Sequence, residues 1–511
     1  MPFTTRISTV AALLLAFLPH PADADPAVEA ARAWRQAHGA EILSNFAEFL
    51  TYPNVAADTE NIWRTAEYIR DGLASRGVEA RLLDLDDRSV PPIVYGRLDS
   101  PGATRTLAIY VHYDGQPVDA DAWTHDPWKA TLYTRAMEDG GEPRPLPGPG
   151  EAIDPEWRLY ARSAADDKAP IPAIWTALDA LKAADLRPTS NIVFFFEGEE
   201  EAGSNHLGDY LQRYRDLIDV DGWLICDGPS HQSGRPQLVF GVRGYSGLEI
   251  TTYGAIRHLH SGHYGNWAPN PAMMLSRLLA TMVDDEGVVK VKGFHDGAAP
   301  ITDADRRAMA SVPDYDDQLR KELGIVRSAD GNAPMLERLL LTTLNVKGLS
   351  SATVGEQARN LVPATATASV DMRLAKGITP DMAADRLEGH IAAQGYHIVR
   401  QDPDLETRLT HPKIAKVVRE PGYPGVRTSS DLPMATDVAR AMERAATEPL
   451  VLMPTLGGSL PLYLFEEHLG QPLVVVPFAN HDNKQHGPDE NLRVANLWLG
   501  IDLMAALFTM E

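Results

Sequence analysis

The chain has 511 residues, enough for two or more domains and a large core. Its formal net charge of −23 argues against nucleic acid or an anionic membrane surface as partner and leaves small molecules and peptides. A single cysteine excludes an intramolecular disulfide, and its setting, Trp223-Leu224-Ile225-Cys226, reads as a small buried hydrophobe rather than a nucleophile.

In chain order, Arg6, the apolar stretch from Val10 to Leu18 and the small-x-small triplet Ala22-Asp23-Ala24 read as a secretory signal over residues 1–24. The run is too short for an ordinary membrane span. The expectation is an exported protein, periplasmic or secreted, whose mature chain starts near Asp25 and is not held at a membrane. Ile62, Ala66, Ile69 and Leu73 form a helical face closed by Gly77. The Leu107–Val111 stretch reads as a strand ending in His112-Tyr113-Asp114-Gly115. Residues 138–155, rich in Gly, Pro and Glu, read as a surface excursion. Pro170 to Ala184 is helical in pattern. Ile192-Val193-Phe194-Phe195-Phe196 is a continuous apolar run, as expected of a strand buried on both faces. It stops in Glu197, Glu199, Glu200 and Glu201, four carboxylates that repel one another unless a cation lies among them. A helix from about Asn205 and a strand over Trp223–Cys226, running into Asp227, complete a βα alternation.

Near Gly244 the pattern changes. Leu248–Tyr253, Leu341–Val346 and Thr365–Leu374 alternate or carry β-branched residues, as in an antiparallel sheet, and helices near Pro271–Asp284 and Pro380–Ala393 would cover one face. Strands over Leu450–Met453 and Leu473–Val476, then a helix from about Asn491, return to the first pattern. The fold class expected is α/β: a mostly parallel-sheet catalytic domain over 25–244 and 406–511, with an inserted α+β domain over 245–405.

His112, Asp114, Asp166, Glu200, Glu201, Asp227 and His486 all fall at or just after carboxyl ends of the expected parallel strands, where open α/β sheets bind ligands. Two imidazoles and several carboxylates suit a pair of zinc-like ions with an open position for water. A shared carboxylate holds such ions about 3.5–4 Å apart. His481 is an alternative to His486 on spacing.

These motifs resemble the dinuclear zinc hydrolases of the aminoacylase, carnosinase, glutamate carboxypeptidase and acetylornithine deacetylase type, and the carnosinase-like branch most. The resemblance covers the mature chain, inserted domain included. It implies His112 as ligand with Asp114 as its orienting carboxylate, Asp166 as the bridge within Ala165-Asp166-Asp167-Lys168, Glu200 as general base and Glu201 as ligand. It also implies Asp227 and His486 as the remaining ligands, and a cis peptide between Asp166 and Asp167. The cofactor expected is two divalent ions per chain, Zn, with Mn or Co as alternatives. Glu490, four after His486, fits the family and favours His486 over His481. Glu197 and Glu199 are then left with structural roles.

On the substrate side, Leu259-His260-Ser261-Gly262 resembles the motif whose imidazole completes the neighbouring subunit's site, which implies a homodimer with His260 as oxyanion stabiliser. Arg373, Gly458 and Ser459 of Gly457-Gly458-Ser459, and Asn360 are implied as substrate-binding residues, a guanidinium being suited to a free carboxylate. The chain departs from the family pattern at Ala161-Arg162-Ser163, where Gly-Arg-Gly is usual, and at Ala169, where Gly is usual. The activity implied is hydrolysis of the amide bond of dipeptides or short peptides with a free C-terminal carboxylate, by a metal-bridged hydroxide with Glu200 as base. An N-acyl-amino-acid deacylase would use the same site. A silent binding protein on the same fold would lack a ligand or the base, and none is missing.

Overall fold

The computed structural model describes residues 25–329 and 333–511; the expected signal segment lies outside the described residues. At its centre is an eight-stranded sheet, ordered Glu79–Leu83, Ile93–Leu98, Asn191–Glu197, Thr106–His112, Gly222–Ile225, Leu473–Val475, Gln237–Val239, Val451–Met453. The four strands from Asn191–Glu197 to Leu473–Val475 run parallel. Antiparallel pairings join Glu79–Leu83 and Ile93–Leu98 on one flank and Gln237–Val239 on the other. The expected mostly parallel sheet is therefore a mixed one with a parallel centre.

Asn191–Glu197 is buried on both faces, as its apolar run requires. Phe194 and Phe196 enter one core with helices Pro26–Phe49, Pro170–Ala183 and Val494–Phe508. Val193 and Phe195 enter the opposite core beside Leu207–Arg213 and Leu462–His468. Such a strand sheds apolar side chains to either side at each step of its two-residue period. Among the described residues no helix is long and apolar enough to cross a membrane.

A second, five-stranded sheet has the order Asn345–Ser350, Thr365–Leu374, Gly244–Tyr253, Ile414–Tyr423, His397–Val399. Along Thr365–Leu374, Ala366, Ala368, Val370, Met372 and Leu374 are buried in alternation, packed against helices Pro271–Ala280 and Pro380–Ala393. Here three expectations are corrected. Ile414–Tyr423 pairs with Gly244–Tyr253, so this sheet reaches beyond the expected boundary at 405. The strand expected over Leu341–Val346 occupies Asn345–Ser350 instead. And part of the insert returns to the main sheet: helix Asp303–Ser311 packs on Val451–Met453, with Ser311 Oγ accepting from Leu452 N at 3.2 Å.

The expected excursion at 138–155 is anchored. Thr131–Tyr133, Pro143–Arg144 and Arg158–Tyr160 form a small sheet with Asn491–Arg493, and Arg144 stacks over Trp157. The C-terminal helix accordingly starts at Val494 rather than Asn491.

Candidate metal centre

Thr106–His112 ends in an imidazole with 1% of its surface exposed. The Nε2 of His112 lies 3.0 Å from Asp166 Oδ1 and 3.8 Å from Asp227 Oδ2. The other oxygen of Asp166, Oδ2, faces His486 Nε2 at 3.1 Å, and that nitrogen is 3.2 Å from Glu201 Oε2. Two groups result, His112–Asp166–Asp227 and Asp166–Glu201–His486, each with its ligand atoms within 4.8 Å of one another. Asp166 belongs to both and turns one oxygen to each. The Asp166–Asp167 peptide is cis, as the resemblance implies.

The first group is buried throughout; the second is more open, with the His486 side chain 54% exposed. His486 stands at φ 64°, in a turn with Lys484 at 57° and Asp489 at 58°. His481 joins neither group among the described residues.

Asp114, fully buried, ties the groups together. One carboxylate oxygen accepts from Glu200 N and the other from Glu201 N, both at 3.0 Å, and its Oδ1 lies 3.5 Å from His112 Nδ1. Asp114 thus sets both the ring, whose Nδ1 lies 3.2 Å from its backbone carbonyl, and, through its carboxylate, the turn that follows the central strand. Glu490 holds Asp166 from behind, as its carboxylate accepts from the backbone N–H groups of Ser163, Ala165 and Asp166 and from Arg162 Nη1. Ser163, where the family pattern has glycine, adopts φ 60° and is kept there by Glu490 and by Asn54 Nδ2, 3.0 Å from its Oγ. The left-handed conformation costs a residue with a Cβ about 1–2 kcal/mol, which these contacts offset.

The electrostatics ask for cations. Burial pushes the Asp227 carboxyl up to about 7, with Asp166 and Glu201 adding to it, and its Oδ2 is buried without a hydrogen-bond partner. Burial also raises Glu201 and Glu200, the former further raised by Asp166 and the latter by Asp227 and Asp114. Burial alone would depress His112, but Asp114 and Asp166 hold it well above its ordinary value. Converging carboxylates, an orphaned oxygen and two imidazoles fit a pair of divalent ions that take oxygen and nitrogen ligands. The chain has a dinuclear divalent-metal site.

Glu197 and Glu199 stand apart. Glu197 accepts from Tyr110 Oη at 2.6 Å, its carboxyl raised to about 8 by burial, and Glu199 binds His206. Two amides absent from the sequence reading contact the clusters: Gln116 Nε2 donates to Glu201 Oε2 at 2.7 Å and Gln485 Nε2 to Asp166 Oδ2 at 3.3 Å. Both lie beside residues already singled out, but a neutral amide carries no periodic or charge signal.

The remaining candidates fall into two groups. Arg373 Nη1 donates to Ser459 Oγ at 3.0 Å, and the carbonyl of neighbouring Gly458 accepts from Arg243 N. His260 lies on a short ladder with Leu361, and the Asn360 carbonyl accepts from Ser261 N at 3.0 Å. His260 is exposed; among the described contacts it touches Gly262 and His263 but no member of either metal group.

The chain is 26% identical over 479 residues to the Cys-Gly metallodipeptidase DUG1 of Candida albicans, spanning 89% of this chain and 91% of that protein. It is 24% identical to human Beta-Ala-His dipeptidase over 437 residues, 84% of this chain and 79% of that one. Among solved structures, an M20 family metallo-carboxypeptidase from Sulfolobus solfataricus superposes with a TM-score of 0.71 at 25% identity, over 92% of this chain and 98% of the other. The model of peptidase family M20/M25/M40 matches residues 108–510, and the chain belongs to that family.

Proposed function

We propose that the protein is an exported, metal-dependent dipeptidase that cleaves the amide bond of dipeptides or short peptides with a free C-terminal carboxylate. The observation that carries this reading is the Asp166 carboxylate shared between two imidazole–carboxylate groups. The inserted sheet supplies Arg373, bonded to Ser459 of the catalytic part. Similarity to proteins named as dipeptidases supports the substrate class. Export rests on the pattern of residues 1–24 alone.

His112, Asp166 and Asp227 would hold one ion, and Asp166, Glu201 and His486 the other. Such ions supply Lewis acidity and draw the pKa of water toward neutrality. The chain's own residues do the rest. Arg373 and Ser459 receive the substrate carboxylate, a guanidinium and a hydroxyl each donating to it. Glu200, fixed by the Glu200 N–Asp114 bond, takes a proton from the attacking water. The protonated carboxyl then gives that proton to the leaving amine. Asp114 keeps the His112 ring in place throughout.

The protein acts as a homodimer in this reading, with His260 reaching the partner's site. Its separation from both metal groups supports a role in trans. So does the exposed apolar surface nearby, where Ile256 is 68% and Trp267 81% exposed. The edge strand Asn345–Ser350 is also open along its length.

The test is hydrolysis of a panel of dipeptides and N-acyl amino acids by metal-loaded protein, with released amine measured. Cleavage that requires a free C-terminal carboxylate supports the reading. Metal-replete protein that cleaves neither class removes it.

A further inference from the structure

His112-Tyr113-Asp114-Gly115-Gln116 leaves the carboxyl end of the strand Thr106–His112. Tyr113 N donates to the Glu197 carbonyl at 2.7 Å, so the pairing with the central strand carries on past His112. An extended chain sends alternate side chains to opposite sides. The Tyr113 hydroxyl accordingly donates to the Pro92 carbonyl, whereas His112, Asp114 and Gln116 all meet the metal groups. His112 belongs to the first group, and Asp114 accepts from Glu200 N and Glu201 N. Gln116 Nε2 donates to Glu201 Oε2 at 2.7 Å.

The main chain that carries Gln116 is pinned. Gly115 N donates to the Asn54 carbonyl at 3.0 Å, and Asn54 Nδ2 donates to the Tyr113 carbonyl at 2.6 Å. Gly115 has no room for a side chain, because a Cβ there would run into Ser163 Oγ in the loop of Asp166. Gln116 is thus delivered to Glu201 from a fixed point.

The oxygen it meets is the one that faces His486 Nε2 at 3.2 Å. Asp166 Oδ2, the other oxygen facing that nitrogen, accepts from Gln485 Nε2 at 3.3 Å. Both amides therefore serve the open group, Asp166–Glu201–His486. In the closed group, His112–Asp166–Asp227, Asp166 Oδ1 meets only the His112 ring among the described contacts, and Asp227 Oδ2 has no hydrogen-bond partner. Burial fixes the closed group. The open one has its imidazole half in solvent and depends on such bonds.

A carboxylate oxygen has two lone pairs, so it can bind a cation through one and accept an N–H through the other. The donor fixes the oxygen's direction and favours the ionised form that binds a cation. A neutral amide does this without adding a charge; a lysine or arginine in its place would repel the ion from the oxygen it holds.

We infer that Gln116 is a positioning residue of the open metal group: it holds the Glu201 oxygen toward His486 and raises the affinity of that group, and not of the closed one, for its ion. Gln485 adds a weaker hold on the shared Asp166, through a longer contact from an exposed side chain. The role is the same whichever amide the enzyme cleaves.

The test is zinc binding, measured by competition with a chromophoric chelator, in two backgrounds. His486→Ala chains keep the closed group, and Asp227→Ala chains keep the open one. Gln116→Met removes the donor; Gln116→Asn keeps an amide one methylene short of Glu201. Each weakens the equivalent held by Asp227→Ala chains about 10–100-fold, the usual cost of losing a hydrogen bond to a metal ligand. Each leaves the equivalent held by His486→Ala chains in place. Equal weakening in both backgrounds would mean a general loosening of the loop and overturns the assignment, as does no weakening in the open-group chains. If either background holds no zinc, chains with all five ligands decide. Gln116→Met must then weaken one of their two equivalents and keep the other, and a loss shared by both or seen in neither overturns the assignment.

Discussion

Replacing Glu490 by glutamine tests whether this buried carboxylate holds the loop of the shared aspartate. Glu490 has no exposed surface, and its oxygens divide four donors evenly. Oε2 accepts from Arg162 Nη1 at 2.7 Å and Ser163 N at 3.0 Å; Oε1 accepts from Ala165 N and Asp166 N, both at 2.9 Å. An amide offers one oxygen and one NH2, so in either orientation two donors face a donor. Keeping the oxygen on Arg162 leaves the N–H groups of Ala165 and Asp166 unsatisfied. At about 1–3 kcal/mol for each buried donor the loss is roughly 2–6 kcal/mol. The missing charge opposite buried Arg162 places Glu490→Gln at about 3–5 kcal/mol. Urea unfolding of chelator-treated protein, followed by tryptophan fluorescence, reads this without the contribution of bound metal. The comparison is Glu156→Gln, whose carboxylate is 58% exposed and 3.4 Å from Arg493; it should cost no more than about 1 kcal/mol. If Glu490→Gln is no more harmful than Glu156→Gln, the carboxylate does not hold the loop.

Further outcomes follow from the same geometry. Metal analysis should find two equivalents per chain, and Asp166→Ala should lose both; one tight equivalent kept by the variant would show that Asp166 does not serve both groups. Glu200→Gln should lower turnover by roughly 10²–10⁴-fold with metal content intact, since its role is with protons; loss of an ion would show that it ligates. Co-expressed with His260→Ala chains, the same variant should regain about a quarter of wild-type active sites, because random pairing makes half the dimers mixed and each mixed dimer has one whole site. An inactive mixture with mixed dimers confirmed by tags would place His260 within its own chain. At Glu388, burial would raise the carboxyl, but Arg400 and Arg419 hold it at about 2, below an unfolded value near 4.3. Its stabilisation, about 1 kcal/mol after solvent screening, is complete above about pH 4.5 and is lost as pH falls toward 2. Wild type and Glu388→Gln should thus converge in stability near pH 2, and a gap that stays constant with pH would refute the assignment.

The central strand and the metal groups were legible because both are local statements. Ile192 to Phe196 can only be buried on two faces, and His112 and Asp227 follow directly on apolar runs, whereas Asp166, Glu201 and His486 stand in motifs a few residues further on. Glu490 was legible only as a motif match. Its grip on Ser163, Ala165 and Asp166 spans more than three hundred residues of sequence and has no local mark. The antiparallel flanks of the main sheet were missed for a related reason. Ile93–Leu98 has the same composition whichever way its neighbour runs, and direction depends on the connection. Ile414–Tyr423 returns to the inserted sheet because its pairing with Gly244–Tyr253 extends that strand's ladder, a gain that appears only when both segments are placed together. The return of helix Asp303–Ser311 to the main sheet was invisible because that helix is amphipathic toward a sheet encoded elsewhere.

Asp166 turns one oxygen to each ligand group, which makes the two metal-binding events a single thermodynamic object. A cation on one oxygen repels a second cation on the other, yet it also fixes the carboxylate for that second arrival. Whatever the balance, the factor by which the first ion alters the affinity of the second must be the same in either order of filling. The open group around His486 and the closed one around Asp227 can therefore differ in affinity and in exchange rate. They cannot differ in how strongly each depends on the other.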